Sequence, residues 1–152
     1  MSNTPKDNTL VTLYVNTGVP GLSQGNIVDH VWMADSNGDI VDNNAGHVRN
    51  YITGVLSKGN VTWIPAVINI RNDPSDYVLI TDVKISSGND NKITISKMPT
   101  SKDPNHVNGK VSGNPGGDPF EYRILFTVSH VGNDGKRKPP QHFYIDPKIQ
   151  IH

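Results

Sequence analysis

A chain of 152 residues with 14 lysines and arginines, 14 aspartates and glutamates and no net charge carries no field that would favour nucleic acid or an anionic membrane. Cysteine is absent, which removes disulfide frameworks, thiolate zinc sites and cysteine nucleophiles. With 34% hydrophobic residues against 14 glycines and 11 prolines, the composition suits short strands joined by turns, and a chain this long can bury about 70% of its unfolded surface.

Residues 1–9 are polar and expected to fray, leaving residues 10–152 as one domain. The opening has no apolar core, so a signal peptide is not expected, and no run reaches the ~20 apolar residues of a membrane helix. Cytoplasmic folding is the default expectation, with leaderless release left open. Residues 10–17 alternate, with Val11, Leu13 and Val15 on one side, until Gly18-Val19-Pro20-Gly21 breaks the pattern. Residues 27–34 predict a second strand and 39–41 a short third. Between them, Asn37-Gly38 is the preferred pair for a two-residue hairpin turn. Residues 42–50 are irregular, and 51–56 read as another strand.

Residues 61–70 form the most apolar run, too short and too β-branched for a helix, and predict a strand buried on both sides. Pro65 has no ladder donor, so it must sit at a bulge, a bend or an edge. Residues 77–86 alternate, with Leu79, Val83 and Ile85 inward. A turn at 87–91 leads to a strand over 92–98. Residues 99–119 are rich in Pro, Gly and Asn, and predict a long loop.

The last third organises the chain. Phe120, Tyr122, Ile124, Phe126 and Val128 share one face, opposite Glu121, Arg123, Thr127 and Ser129, with Leu125 the exception. Phe143, Ile145, Ile149 and Ile151 share another, opposite His142, Tyr144, Lys148, Gln150 and His152. A period of two means extended, half-buried strands. Gly132-Asn133-Asp134-Gly135 between them tolerates positive φ and closes a tight turn, so a long antiparallel hairpin is expected. The fold class that follows is all-β, an antiparallel β-sandwich of jelly-roll type with roughly eight or nine strands and no helix.

Few constellations carry chemistry. Asp35, Asn37, Asp39 and Asp42 are the densest oxygen cluster and the candidate calcium ligands, since calcium takes about six to eight hard oxygens. Ile40 stands where a helix-loop-helix calcium site needs glycine, so the competing reading is a hairpin turn with solvated carboxylates. The six histidines form no metal-binding pair at i, i+2 or i, i+4, and Glu121 is the sole glutamate. No strained nucleophile motif occurs, so no enzyme activity is expected. Lys136-Arg137-Lys138 is too small for a nucleic-acid footprint and reads as a solvated turn or edge guard. Trp32 and Tyr144 alternate with apolar neighbours and are the candidate platforms for sugar C–H faces, with Asn37 as a hydrogen-bonding partner. Trp63 belongs to the core.

Residues 120–152 resemble the end of the PixA/AidA family of bacterial inclusion-body proteins. The matching residues are Tyr122 and Phe126, the Asp134-Gly135-Lys136 turn, and Phe143-Tyr144-Ile145-Asp146-Pro147-Lys148-Ile149, where Ile145 replaces the usual tryptophan. Residues 30–41 and the Gly59-Asn60-Val61-Thr62-Trp63 step are similar to earlier family segments. The resemblance implies a cytoplasmic β-sandwich that self-associates in inclusions and binds glycans in a lectin-like way, with calcium as the assisting cofactor. The alternative is a purely structural or storage protein with no ligand; a jelly-roll hydrolase is a distant third.

Overall fold

The structure, a computed structural model, describes residues 5, 7–38, 40, 41, 47–68, 75–97, 106–132 and 134–152. Among them run β1 (Asn8–Asn16), β2 (Val31–Asp35), β3 (Ile40–Val41), β4 (Ile52–Val55), β5 (Asn60–Ile68) and β6 (Tyr77–Ile85). They are followed by β7 (Ile93–Lys97), β8 (Val107–Val111), β9 (Phe120–Ser129), β10 (Gln141–Ile145) and β11 (Lys148–Ile151). One sheet has the order β3-β2-β1-β5-β8-β7, and the other β10-β9-β11-β4, with β6 on the opposite flank of β9. Their apolar faces meet in one core, so the molecule is an all-β sandwich.

The alternation places this core directly. Val11, Leu13 and Val15 of β1 are buried, as are Phe120, Tyr122, Ile124, Phe126 and Val128 of β9 and Phe143, Ile145, Ile149 and Ile151 of β10 and β11. β10 and β11 keep one register against β9, from Gln141 opposite Val128 to Ile149 opposite Phe120. They are one strand with a single missing bond. Tyr122 N–H donates to Pro147 C=O at 3.0 Å, but Pro147 has no N–H to return. Counted this way the sandwich has ten strands, and the expected hairpin is present. At its turn Gly135 takes a positive φ of 75°. Arg137 docks the turn on β6, donating to Ser129 Oγ and Ser75 C=O, each at 3.0 Å, and covering the Tyr77 ring.

Several expectations need correction. The sheets are mixed, because β1 pairs β5 and β11 pairs β4 in parallel. β1 begins at Asn8, inside the segment expected to fray, because Asn60 N–H donates to Asp7 C=O and draws the chain into the ladder. Residues 27–30 form a 3-10 turn instead of the start of a strand. Asn26 causes this: its side chain accepts from Ser23 N–H and donates to Gly21 C=O, curling the backbone before Val31 extends. Residues 47–50 make one turn of α-helix. In β6 Val78, Ile80 and Val83 are buried and Ile85 packs against the core as expected, whereas Leu79 is half-buried on the other phase. A bulge between Ile80 and Asp82 shifts the phase that simple alternation would carry through.

Pro65 lies where its missing donor takes no bond from the β1–β5 ladder. Ile68 C=O accepts from Thr17 N–H, so the even-numbered residues of β5 bond to β1 and Pro65 faces the β8 side. β8 pairs β5 only as far as Trp63.

The expected loop over 99–119 contains a strand, β8, whose buried residues are Val107, Gly109 and Val111. A glycine on the apolar face hid the period. It is there because Trp63 fills the space: a Cβ at Gly109 would lie 3.2 Å from Trp63 Cζ3, 3.2 Å from Val61 and 3.1 Å from Ile93. Gly109→Val is therefore expected to destabilise the fold by about 1–3 kcal/mol through overpacking, read as a lower urea midpoint at unchanged slope. An unchanged midpoint would show that the space beneath Trp63 can widen.

Candidate functional site

The Asp35–Asn37 turn, where the oxygen cluster begins, lies at one end of the sandwich. Asp35 ends β2 with its side chain on the inward phase. Its Oδ1 accepts from Asn37 N–H at 2.9 Å and its Oδ2 from the Tyr51 hydroxyl at 2.5 Å. Asn37, only 8% exposed, donates from its side-chain amide to Gly54 C=O of β4 at 2.9 Å. Thr9 Oγ1 donates to the same carbonyl. Deeper in the core, Trp63 Nε1–H donates to the Tyr122 hydroxyl at 3.0 Å, with ring centroids 5.6 Å apart. These groups form a polar seam that fastens β1, β2 and β5 to β4 and β9.

The seam sets the protonation of its phenols. Burial first, then the Asp35 hydrogen bond and charge, pushes Tyr51 far above the ordinary 10.0. Burial pushes Tyr122 up as well, against the lowering by Trp63 and Thr53. Both therefore stay neutral at any physiological pH, Tyr51 donating to Asp35 and Tyr122 accepting from Trp63. Both Asp35 oxygens already accept from protein donors, whereas Asn37 Oδ1 is buried with no donor. Asp39 and Asp42 lie outside the described residues. Among the described residues no three His, Cys, Asp or Glu side chains gather. What is described offers calcium one uncommitted hard oxygen, short of a coordination sphere.

The remaining candidates do not converge with Asn37 or with each other. Trp32 projects from the outer face of the six-stranded sheet, opposite Tyr14 on β1, and Tyr14 lies in turn opposite Ala66 on β5. Tyr144 projects from the outer face of the other sheet. The Arg123 guanidinium lies 4.0 Å from its ring centroid. Arg123 itself grips Asp146 across the strands, at 2.7 Å from Nε and 3.3 Å from Nη2, and that hydrogen bond raises its pKa. A shallow concavity of about 270 Å³ beside this pair is lined by Lys84, Ser86, Glu121, Arg123 and Asp146 among others. Tyr144 is thus occupied by Arg123 and presents no open ring face on that side.

Sequence reasoning missed Gln24. Its amide donates to Tyr144 C=O and accepts from Tyr144 N–H, each at 2.9 Å, as a neighbouring strand would. This covers part of the free edge of β10. Tyr14 is among the aromatics the sequence offers for sugar stacking, but its position beside Trp32 depends on strand order. No described helix is long and apolar enough to cross a membrane.

The fold is similar to that in the crystal structure of an inclusion body protein, PixA, from Burkholderia cenocepacia. The TM-score is 0.62 at 12% identity, with 95% of each chain covered. No family model matches the chain, and no curated protein matches it. The resemblance carried by residues 120–152 is thereby supported at the level of fold.

Tyr51→Phe takes a donor from the half-buried Asp35 carboxylate and is expected to cost about 0.5–1.5 kcal/mol in urea unfolding. A second outcome follows from the raised phenols. Their neutral forms are favoured in the folded state, so that contribution is complete below the ordinary 10.0 and is lost as pH rises beyond it. Of the five tyrosines, Tyr51 and Tyr122 should ionise only as the protein unfolds in alkali. Five phenols titrating together near pH 10 in the folded protein would contradict the seam.

Proposed function

We propose that this protein is a non-catalytic, self-associating protein of the inclusion-body kind, accumulating in the bacterial cytoplasm, with the assembly itself as its product. The observation that carries this reading is the likeness to an inclusion body protein over 95% of both chains. Composition agrees with it. With 14 basic and 14 acidic residues the chain is neutral near pH 7, so copies lack the net repulsion that keeps proteins apart.

A second reading, favoured by the Tyr14–Trp32 pair, is carbohydrate binding. The two aromatics stand on the outer face of a flat sheet, where a sugar ring could stack. Of the residues chosen for this role from the sequence, Trp32 lies beside a second aromatic on that face. Asn37 is buried in the turn, and Tyr144 is on the opposite side of the sandwich. A glycan screen followed by calorimetry, with and without calcium, tests it: binding lost in Trp32→Ala supports a lectin-like role, and no binding by the native chain removes it.

Sedimentation of the native chain should show reversible oligomers that grow with concentration at pH 7. They should weaken when the pH is moved about two units to either side, as net charge accumulates. A monomer at all concentrations would contradict the proposal.

A further inference from the structure

Strand β5 is apolar on both sides, yet among the described residues only the inner side is packed against another layer. Val61 and Trp63 face the core, while Ile64, Ala66 and Ile68 face outward. Strands apolar on both faces normally lie between two layers. The same outward surface continues over β1 with Leu10, Thr12 and Tyr14, and over β2 with Trp32 and Ala34. Leu10 is 41% exposed and Ile68 36%. Over these three adjacent strands the outward residues include no charged side chain. The outer face of the other sheet differs: it carries Lys84, Glu121, Arg123 and Lys148.

We infer that this outward face docks on the same face of a second copy of the chain, about a two-fold axis near Thr12, with Tyr14, Trp32 and Ile64 in the contact. Thr12 marks the middle of the face, being opposite Ala34 on β2 and Ile64 on β5. Three physical points favour a second copy over another occupant. At a two-fold axis each residue meets its own counterpart, so a charge there would oppose itself; a charge-free face avoids that cost. The six strands hold 35 residues, which at about 3.3 Å along and 4.8 Å across each give a face of roughly 550 Å², the size of the smaller interfaces that hold reversible pairs. The arrangement also has an apolar, aromatic centre and a polar border, with Asn8 at one end and Asn108 and Lys110 on β8. The inference rests on the self-association reading and names the surface that performs it.

The absence of cysteine makes the test clean. Thr12→Cys in the full chain, treated with a short bis-maleimide, should cross-link to a dimer, whereas Glu121→Cys on the other sheet should stay monomeric under the same treatment. Ile64→Lys should weaken dimerisation about a hundredfold in sedimentation equilibrium while the melting temperature stays close to the native one. Should Ile64→Lys fail to fold, the cysteine pair decides alone. Native oligomers in which Cys at position 12 does not cross-link, or cross-links no better than Cys at position 121, would overturn this inference while leaving self-association standing. A native chain that is monomeric throughout would overturn both. Loss of cross-linking on adding a glycan that binds Trp32 would show that sugar and copy compete for the face, and would support the location.

Discussion

Strand β9 is paired along both edges, with β6 from Tyr122 to Ser129 and with the β10–β11 strand from Phe120 to Val128. The second sheet is built outward from that double pairing. One register carried past Asp146-Pro147 keeps Phe143, Ile145, Ile149 and Ile151 on one face, so a slip by one residue would turn them all to solvent. Burying side chains such as Ile124, Phe126, Ile145 and Ile149 is worth about 1.5–3 kcal/mol each, which is why the register is so strongly specified. The Arg123–Asp146 pair sits where the ladder lacks a bond and reinforces it from outside, although as an exposed pair it adds little energy.

The two sheets are joined by a polar seam as well as by apolar packing. Tyr122 takes part in both, its ring tilted against Trp63 and its hydroxyl accepting from the indole. Buried groups of this kind are costly unless partnered, and their partners here lie on different sheets. The seam therefore fixes how the sheets sit on each other. Asp35 and Asn37, read from the sequence as part of a ligand set, are hydrogen-bonded into this seam. The outer faces of the two sheets differ. One carries paired charges and Tyr144 beneath Arg123; the other is apolar, aromatic and neutral.

Legibility in the sequence followed the strength of the period. β1, β9, β10 and β11 were readable because their apolar residues recur strictly at every second position. β8 was not, because Gly109 occupies an inward position that Trp63 has already filled. The bulge in β6 and the 3-10 turn after Asn26 were hidden for a related reason: each is a local backbone choice that leaves the hydrophobic pattern nearly intact. Strand order was out of reach, and with it the parallel pairings and the meeting of Tyr14 with Trp32. The doubly apolar character of residues 61–70 was legible. Which side of that strand meets the core was not, since an apolar run without alternation marks neither face.

Native-state hydrogen exchange tests the double pairing of β9 most directly. In rising denaturant, the amides of Ile124 and Phe126 on β9, of Phe143 and Ile145 on β10, and of Ile149 on β11 should converge on one opening free energy, that of global unfolding. Exchange of Ile149 at a clearly lower free energy than Ile145 would mean that β11 opens separately past Pro147, and that the continuous strand on which the second sheet is built does not exist as one unit.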